Sequence, residues 1–231
     1  MFIRRLDEEG LPDTMKGVAK AKSLTAGHLS AAVFWGSVWG LWEATAGYVF
    51  HSFRVPGIAG LVMFPAGFYL MSRAFATSGR PAVIFLTACT AAMVKLADLF
   101  LPGADVFSII NPAQAILLES LAVMGIFSFL KKTERVSLSA SVLASVSWRP
   151  AYALLGLLAA RFFPVRNLFE AGGPALAGFL LRDGVLDGFL IYLLWNIQKI
   201  RPGSDRSKIR PVPVVYSCLA LAAALLIELV I

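Results

Sequence analysis

Seven long apolar stretches, separated by short polar segments, constrain the fold of this chain more than any other feature of its sequence. They cover about residues 26–50, 55–71, 81–101, 109–130, 138–163, 171–197 and 212–231. Most are close to the roughly 20 residues that an α-helix needs to cross a bilayer. The sequence therefore predicts an all-α fold, a polytopic integral membrane helix bundle with about 6–7 transmembrane helices.

The composition favours the same class of protein. Of the 231 residues, 58% are hydrophobic and 15% are charged, whereas soluble domains have roughly 45–50% apolar and about 25% charged residues. Residues 1–25 are charged and lack the apolar core of a signal peptide. We expect residues 1–25 to form a cytoplasmic N-terminal segment and residues 26–231 to form a single transmembrane helical domain.

The basic residues predict how the bundle is oriented. Counting alternate loops, 15 of them fall on the side of the N-terminus: Arg4, Arg5, Lys16, Lys20, Lys22, Arg73, Arg80, Lys131, Lys132, Arg135, Lys199, Arg201, Arg206, Lys208 and Arg210. Only Arg54, Arg161 and Arg166 fall on the other side. Because cytoplasmic loops are rich in lysine and arginine, the N-terminus is predicted to lie in the cytoplasm of a cytoplasmic (inner) membrane protein. The formal charge of +7 is explained in this way, and no nucleic-acid partner is expected.

The first apolar stretch carries one carboxylate, Glu43, well inside it. At helical spacing, Glu43 projects between a stripe of small residues and a stripe of tryptophans; these are Ala32, Gly36, Gly40 and Ala44, and Trp35, Trp39 and Trp42. A charged residue at the bilayer centre costs roughly 2.5–3.5 kcal/mol on insertion scales. We expect Glu43 to line a polar pocket walled by tryptophan. Alternatively, the tryptophans are interfacial anchors or plain packing, and Glu43 reaches the headgroups.

Other polar residues fall at a similar predicted depth in neighbouring stretches. Lys95 and Asp98 lie three residues apart and can pair, and Asn111 and Gln114 begin the next stretch. Glu119 follows near mid-depth. A cavity open to the outside would explain this shared level, so we predict ligand-binding roles for Glu43, Trp39, Trp42, Lys95, Asp98, Asn111, Gln114 and Glu119.

A second polar group lies in the fifth and sixth stretches, where Arg149, Arg182, Asp183 and Asp187 are predicted to form structural ion pairs. Intramembrane arginine needs a partner, and pairs of Arg149 or Arg182 with Glu119 or Asp183 are expected. Pro150 interrupts the fifth stretch. It either frees carbonyl groups to line a cavity or only kinks the helix.

The sequence contains few features that are typical of an enzyme. The two histidines, His28 and His51, lie at opposite ends of one stretch, and Cys89 and Cys218 lie within apolar runs, so no metal, haem or other cofactor and no disulfide is expected. No metalloprotease, serine-histidine or phosphate-binding motif is present. A role without catalysis is predicted, although an intramembrane hydrolase using the aspartates of the sixth stretch stays open.

The size, the basic cytoplasmic loops, the compact spans and the outward-facing polar level resemble the S components, the substrate-binding subunits, of energy-coupling-factor vitamin transporters. The resemblance covers the first six stretches. Gly36-x-x-x-Gly40 is the nearest equivalent there of that family's alanine-x-x-x-alanine coupling signature. The resemblance implies capture of a vitamin or a metal from outside, and an ATPase and transmembrane coupling module as partner.

Three functions are consistent with these patterns. The first is binding or uptake of a small polar solute, such as an amine or a ring nitrogen, through an outward-facing intramembrane pocket. The second is an ion-coupled secondary transporter that uses Glu43, Glu119, Asp183 or Asp187 as the ion-carrying carboxylate. The third is a non-transport membrane subunit that assembles with a partner through the small-residue stripe. In each case, membrane lipids surround the chain.

Overall fold

The computed structural model describes residues 24–52, 58–129, 136–163, 172–198 and 212–229, and its regular elements in these ranges are all helices. They are Ala26–Ser52 (α1), Ile58–Ser78 (α2), Pro81–Leu96 (α3), Val106–Phe129 (α4), Leu138–Ser147 (α5), Arg149–Phe162 (α6), Gly173–Ala177 (α7), Asp183–Gln198 (α8) and Val214–Glu228 (α9). A 3-10 turn at Ala97–Phe100 extends α3, and a π-helical turn at Gly178–Arg182 joins α7 to α8. The prediction of an all-α fold is confirmed for these residues.

Among the described residues, three helical stretches are long and apolar enough to cross a membrane. They are Pro81–Phe100, Val106–Phe129 and Leu138–Phe162, and α9 is a shorter apolar helix. The outer surface of α6 is also apolar, since Leu154, Leu155, Leu157 and Leu158 are all exposed. A continuous apolar surface of this kind suits lipid better than water. These helices indicate a membrane protein.

Helix α1 packs against α3, α9 and α2. The small residues of α1 face α3: a Cβ atom added to Gly36 would meet the Thr87 carbonyl oxygen and lie 2.5 Å from the Thr90 Cβ. One added to Gly40 would lie 2.7 Å from the Cβ of Val94. The small-residue stripe of α1 therefore makes a close helix contact, and its partner is α3 of the same chain.

An aromatic cluster joins α2, α4 and α8 on the other side of the bundle. The ring of Phe68 lies 5.8 Å from that of Phe127 and 6.1 Å from that of Trp195, and Phe127 lies 6.0 Å from Trp195. All three side chains are buried. Tilted and edge-to-face ring contacts at such distances favour one packing arrangement. The aromatic cluster therefore fixes how α2, α4 and α8 pack against one another.

Helix α2 extends further than the apolar pattern predicts. The sequence places Arg73 in a loop, but the helix continues to Ser78 and ends at Gly79, which has a φ of 66° and precedes Pro81 by two residues. Glycine at positive φ, followed by proline, is a strong helix stop. Arg73 therefore lies within α2, with its guanidinium carbon 5.5 Å from the ring centroid of Trp35.

The interruption at Pro150 is a kink rather than an opening in the helix. Trp148, between α5 and α6, keeps helical dihedral angles of −83° and −25°, and its carbonyl oxygen accepts a hydrogen bond of 3.1 Å from the backbone N–H of Tyr152. Pro150 lies in the first turn of α6, where its missing N–H costs little. Of the two alternatives that the sequence left open, the structure has the kink.

Several predictions concern residues outside the described ranges. Almost all of the N-terminal segment 1–25 and most of the basic residues between helices lie there, as do Arg54 and Arg166. The side chain of His51 is also outside the description. The orientation and the number of spans remain predictions.

Candidate functional site

A cavity of about 590 Å³ lies at the end of the bundle where α1, α3 and α9 finish and α4 begins. We call it the acidic cavity. Its lining consists of Glu43, Ala44, Gly47, Lys95, Asp98, Leu101, Ser108, Asn111, Pro112, Tyr152 and Glu228. Its volume is within the range of about 300–1,000 Å³ that is usual for small-molecule sites.

Lys95 bridges two carboxylates on the wall of the acidic cavity. Its Nζ atom donates to Oδ2 of Asp98 at 2.6 Å and to Oε1 of Glu228 at 2.8 Å. Asp98 lies in the 3-10 turn that extends α3, which brings it onto the same side as Lys95. Glu228 comes from α9, and its side chain is only 2% exposed. The bridge therefore ties α9 to the end of α3.

The remaining oxygens of these two carboxylates are not satisfied. Oδ1 of Asp98 and Oε2 of Glu228 are buried and have no hydrogen-bond partner among the described residues. Glu43 adds a third carboxylate to the lining, so three carboxylates face a single ammonium group. Buried carboxylate oxygens without partners are costly. The electrostatic balance of the cavity favours a positively charged or hydrogen-bond-donating ligand.

Trp39 holds Glu43 in position. The indole Nε1 of Trp39 donates a hydrogen bond of 3.2 Å to Oε1 of Glu43, one helical turn later. Trp39 itself is fully buried, and its ring fills the space that the absent side chain of Gly67 leaves on α2. A Cβ atom at Gly67 would lie 2.6 Å from the Cζ2 atom of Trp39. Trp39 therefore orients Glu43 without lining the cavity itself.

The structure brings together only part of the predicted ligand-binding set. Glu43, Lys95, Asp98 and Asn111 line the acidic cavity, as their predicted depth suggests. The described lining does not include the other four, Trp39, Trp42, Gln114 and Glu119. Trp42 lies on the outer side of α1 and is 38% exposed, because it is turned away from the contacts that α1 makes with α2 and α3.

A second charged cluster surrounds Arg149 in the interior, and we call it the arginine cluster. Arg149 donates from Nε to the Ser145 carbonyl oxygen at 3.1 Å, from Nη1 to the Phe179 carbonyl oxygen at 3.0 Å, and from Nη2 to Oδ2 of Asp187. Its guanidinium carbon lies 4.8 Å from the ring centroid of Phe179. The sequence predicts Glu119 or Asp183 as the partner, but Asp187 is the residue that α8 presents to it.

The local backbone explains this choice. Phe179 lies in the π-helical turn Gly178–Arg182, where the widened hydrogen-bonding pattern leaves its carbonyl oxygen available to Arg149. Gly184 and Gly188 let α8 approach α5, since a Cβ atom at Gly184 would lie 2.8 Å from Val146 and one at Gly188 would lie 2.5 Å from the Val142 Cα. Asp187 lies between these glycines and is fully buried.

The other predicted ion pair is peripheral. Arg182 donates from Nε to Oδ1 of the adjacent Asp183 at 2.8 Å, and the Arg182 side chain is 74% exposed. Such a pair contributes little to stability. Glu119 lies on α4 and is only 7% exposed, within electrostatic range of Arg149, Asp187 and Glu43.

Sequence reasoning missed Ser108, Tyr152 and Glu228 among the polar lining residues. Glu228 had a usable signal, because it is the only carboxylate in the apolar stretch 212–231, as Glu43 is in the first stretch. Tyr152 had none, since its place depends on how α6 turns after the kink. Ser108 begins α4 beside Asp105, whose carboxylate accepts from the Ser108 N–H at 3.2 Å.

Within the described ranges, Cys89 and Cys218 are free thiols, and no group of three histidine, cysteine, aspartate or glutamate side chains is placed to hold a metal ion. The acidic cavity offers charge and hydrogen bonds to a ligand. Comparison with known proteins gives no further assignment: no protein-family model, curated protein or solved structure matches this chain.

Proposed function

We propose that this membrane protein binds a small cationic solute, of the amine or protonated ring-nitrogen class, in the acidic cavity, as a component of an uptake system. The observation that carries the proposal is the excess of three carboxylates over one ammonium in a cavity of about 590 Å³. A cation of this kind would satisfy the buried oxygens of Asp98 and Glu228 that have no partner. Ser108, Asn111 and Tyr152 add hydrogen-bonding groups for the rest of the solute.

The proposal includes an orientation. In chain order, most of the basic residues fall next to the helix ends that are away from the acidic cavity, so by the positive-inside rule we assign the cavity to the outer face of the cytoplasmic membrane. We take all seven stretches of the sequence as membrane segments. Helix α9 has 15 residues, about 22 Å at 1.5 Å per residue, so the described helix reaches across only part of the apolar layer.

A binding assay tests the proposal directly. The purified chain in lipid nanodiscs is heated in the presence of a primary amine, a quaternary ammonium ion, a carboxylate or a neutral alcohol of similar size. We expect one of the two cations to raise the melting temperature, and Asn111→Ala to weaken that effect. Gln114→Ala is the matched control, because Gln114 lies on the same helix but outside the described lining. Stabilisation by the carboxylate alone contradicts the proposal.

Ion-coupled transport is the second candidate. It is favoured by the arginine cluster, because that cluster and Glu119 place further ionisable groups next to the acidic cavity. Assembly with a partner through the small-residue stripe is not favoured, since α3 of the same chain occupies Gly36 and Gly40. For the same reason, docking of an ATPase module would require a different surface from the one that the resemblance implies.

A further inference from the structure

Glu119 is a buried carboxyl group that the proposed solute site does not use. It is 7% exposed and takes part in none of the ion pairs among the described residues. Charged groups on three other helices lie within electrostatic range: Glu43 on α1, Arg149 on α6 and Asp187 on α8. The Tyr152 hydroxyl on α6 is also close enough to interact with it.

The arginine cluster contains one cation for two buried carboxyl groups. Each of the three guanidinium nitrogens of Arg149 donates one hydrogen bond, to the carbonyl oxygens of Ser145 and Phe179 and to Asp187. Asp187 is fully buried and receives the direct contact. Glu119 is therefore left without a counter-ion in an apolar interior, where an uncompensated carboxylate is strongly disfavoured.

We propose that Glu119 is a proton-binding site in the middle of the bundle, and that its proton exchanges with the acidic cavity. Glu43 and Tyr152 both line that cavity and interact electrostatically with Glu119, and we assign the route to them. In the exchange, the proton leaves a carboxyl oxygen of Glu119 for the carboxylate of Glu43. The negative charge then on Glu119 is compensated in part by Arg149, which keeps its contact with Asp187.

This inference adds proton coupling to the proposed solute binding, and it is testable without a solute. Infrared spectra of the full chain in nanodiscs at neutral pH detect the C=O absorption of protonated carboxyl groups. We expect the wild type to show this absorption, and the difference spectrum against Glu119→Gln to show that a component is lost. Glutamine has nearly the shape of a protonated glutamate, so the variant is expected to fold.

Asp187→Asn gives the sharper test. Removing the Asp187 charge frees the Arg149 guanidinium, which then compensates Glu119, so the same component is lost although Glu119 is still present. Asp183→Asn is the matched control, because it also removes a carboxylate from α8. The partner of that carboxylate, Arg182, is exposed. We expect this control to keep the Glu119 component.

Two results overturn the proposal. If the C=O absorption is unchanged in Glu119→Gln, Glu119 is ionised in the wild type. If a C=O component persists in Glu119→Gln but disappears in Asp187→Asn, the proton is on Asp187. If Glu119→Gln does not fold, Glu119→Asp is measured instead. The shorter side chain of aspartate should shift the C=O band of a protonated carboxyl group, so an unshifted band contradicts the proposal. None of these results bears on solute binding in the acidic cavity.

Discussion

The Nζ atom of Lys95 lies 2.8 Å from Oε1 of Glu228, a residue 133 positions later in the chain. The same nitrogen contacts Asp98 at 2.6 Å, so one ammonium group joins two carboxylates from two different segments. The contact lies beside the acidic cavity and largely out of solvent. Its effect is therefore both structural, in fixing α9, and electrostatic, in setting the charge of the acidic cavity.

Loss of the ammonium should be more damaging than loss of either carboxylate. Lys95→Met leaves Asp98 and Glu228 next to each other without a cation. Breaking a fully buried pair costs about 3–5 kcal/mol, and the loss here should be smaller because the Lys95 side chain is 19% exposed. Glu228→Gln keeps a hydrogen-bond acceptor and should cost less. Melting temperatures in detergent for both variants and the double variant check this. A Lys95→Met variant as stable as the wild type would contradict the bridge.

The close contact between α1 and α3 predicts a strong size limit at Gly36 and Gly40. Gly36→Ala should lower the free energy of unfolding by about 1–3 kcal/mol, because the new methyl group overlaps Thr90. Gly36→Leu and Gly40→Leu should separate the helices. Gly125→Ala on α4 is the matched control, since nothing lies within 4 Å of its added Cβ atom. Equal thermal stability of Gly36→Ala and Gly125→Ala would contradict the close contact between α1 and α3.

Glu43 and its hydrogen bond to Trp39 should matter for solute binding. Glu43→Gln removes a charge-assisted contact worth about 1.5–3 kcal/mol, or roughly ten- to a hundredfold in affinity. Trp39→Phe should weaken binding less, because it removes only the donor that orients Glu43. Trp42→Phe, on the outer side of the same helix, should have no effect. Titration calorimetry with the cation that stabilises the wild type measures all three, and similar losses in the two tryptophan variants would contradict the assignment.

The two arginines of the interior stretches should behave differently. Arg149→Met leaves Asp187 buried without its partner, and such a loss typically costs about 3–5 kcal/mol. A second change, Asp187→Leu, should recover part of this stability by removing the orphaned charge. Arg182→Met should have no measurable effect on melting, since its pair with Asp183 is exposed. A similar loss of stability in Arg149→Met and Arg182→Met would contradict the distinction between a buried and an exposed ion pair.

The orientation of the bundle is testable by chemical labelling. In a variant whose two natural cysteines are replaced by alanine, a cysteine introduced by Ser108→Cys should react with a membrane-impermeant maleimide added outside intact cells. Ser108 lines the acidic cavity and is exposed, so the reagent should reach it. Ser78 lies at the end of α2 that is away from the acidic cavity, and Ser78→Cys should react only after the membrane is permeabilised. The reverse pattern would place the cavity in the cytoplasm.

Helix positions and depths were accessible from the sequence, because apolar runs and their breaks follow directly from composition. The shared level of Glu43, Lys95, Asp98 and Asn111 could be found by counting residues at a constant rise per residue. These four line one cavity.

Helix rotation was not accessible in the same way. In a membrane both the interior and the surroundings are apolar, so the pattern along α1 or α4 does not show which side faces the protein. Trp42 and Gln114 were therefore grouped with the lining residues, although they share only their depth. The partner of Arg149 depended on the π-helical turn and on the close approach of α5 and α8, which no local pattern predicts.

The bridge from Lys95 to Glu228 also has a consequence for biogenesis. N-terminal segments are synthesised and fold first, and α9 follows α3 by more than a hundred residues. Until α9 inserts beside α1, Lys95 has only Asp98, and one wall of the acidic cavity is missing. A chain that stalls after α8 would be anchored in the membrane yet unable to form the complete pocket. Ligand affinity in freshly made protein would thus report whether translation has passed α9, independently of whether the earlier helices have inserted.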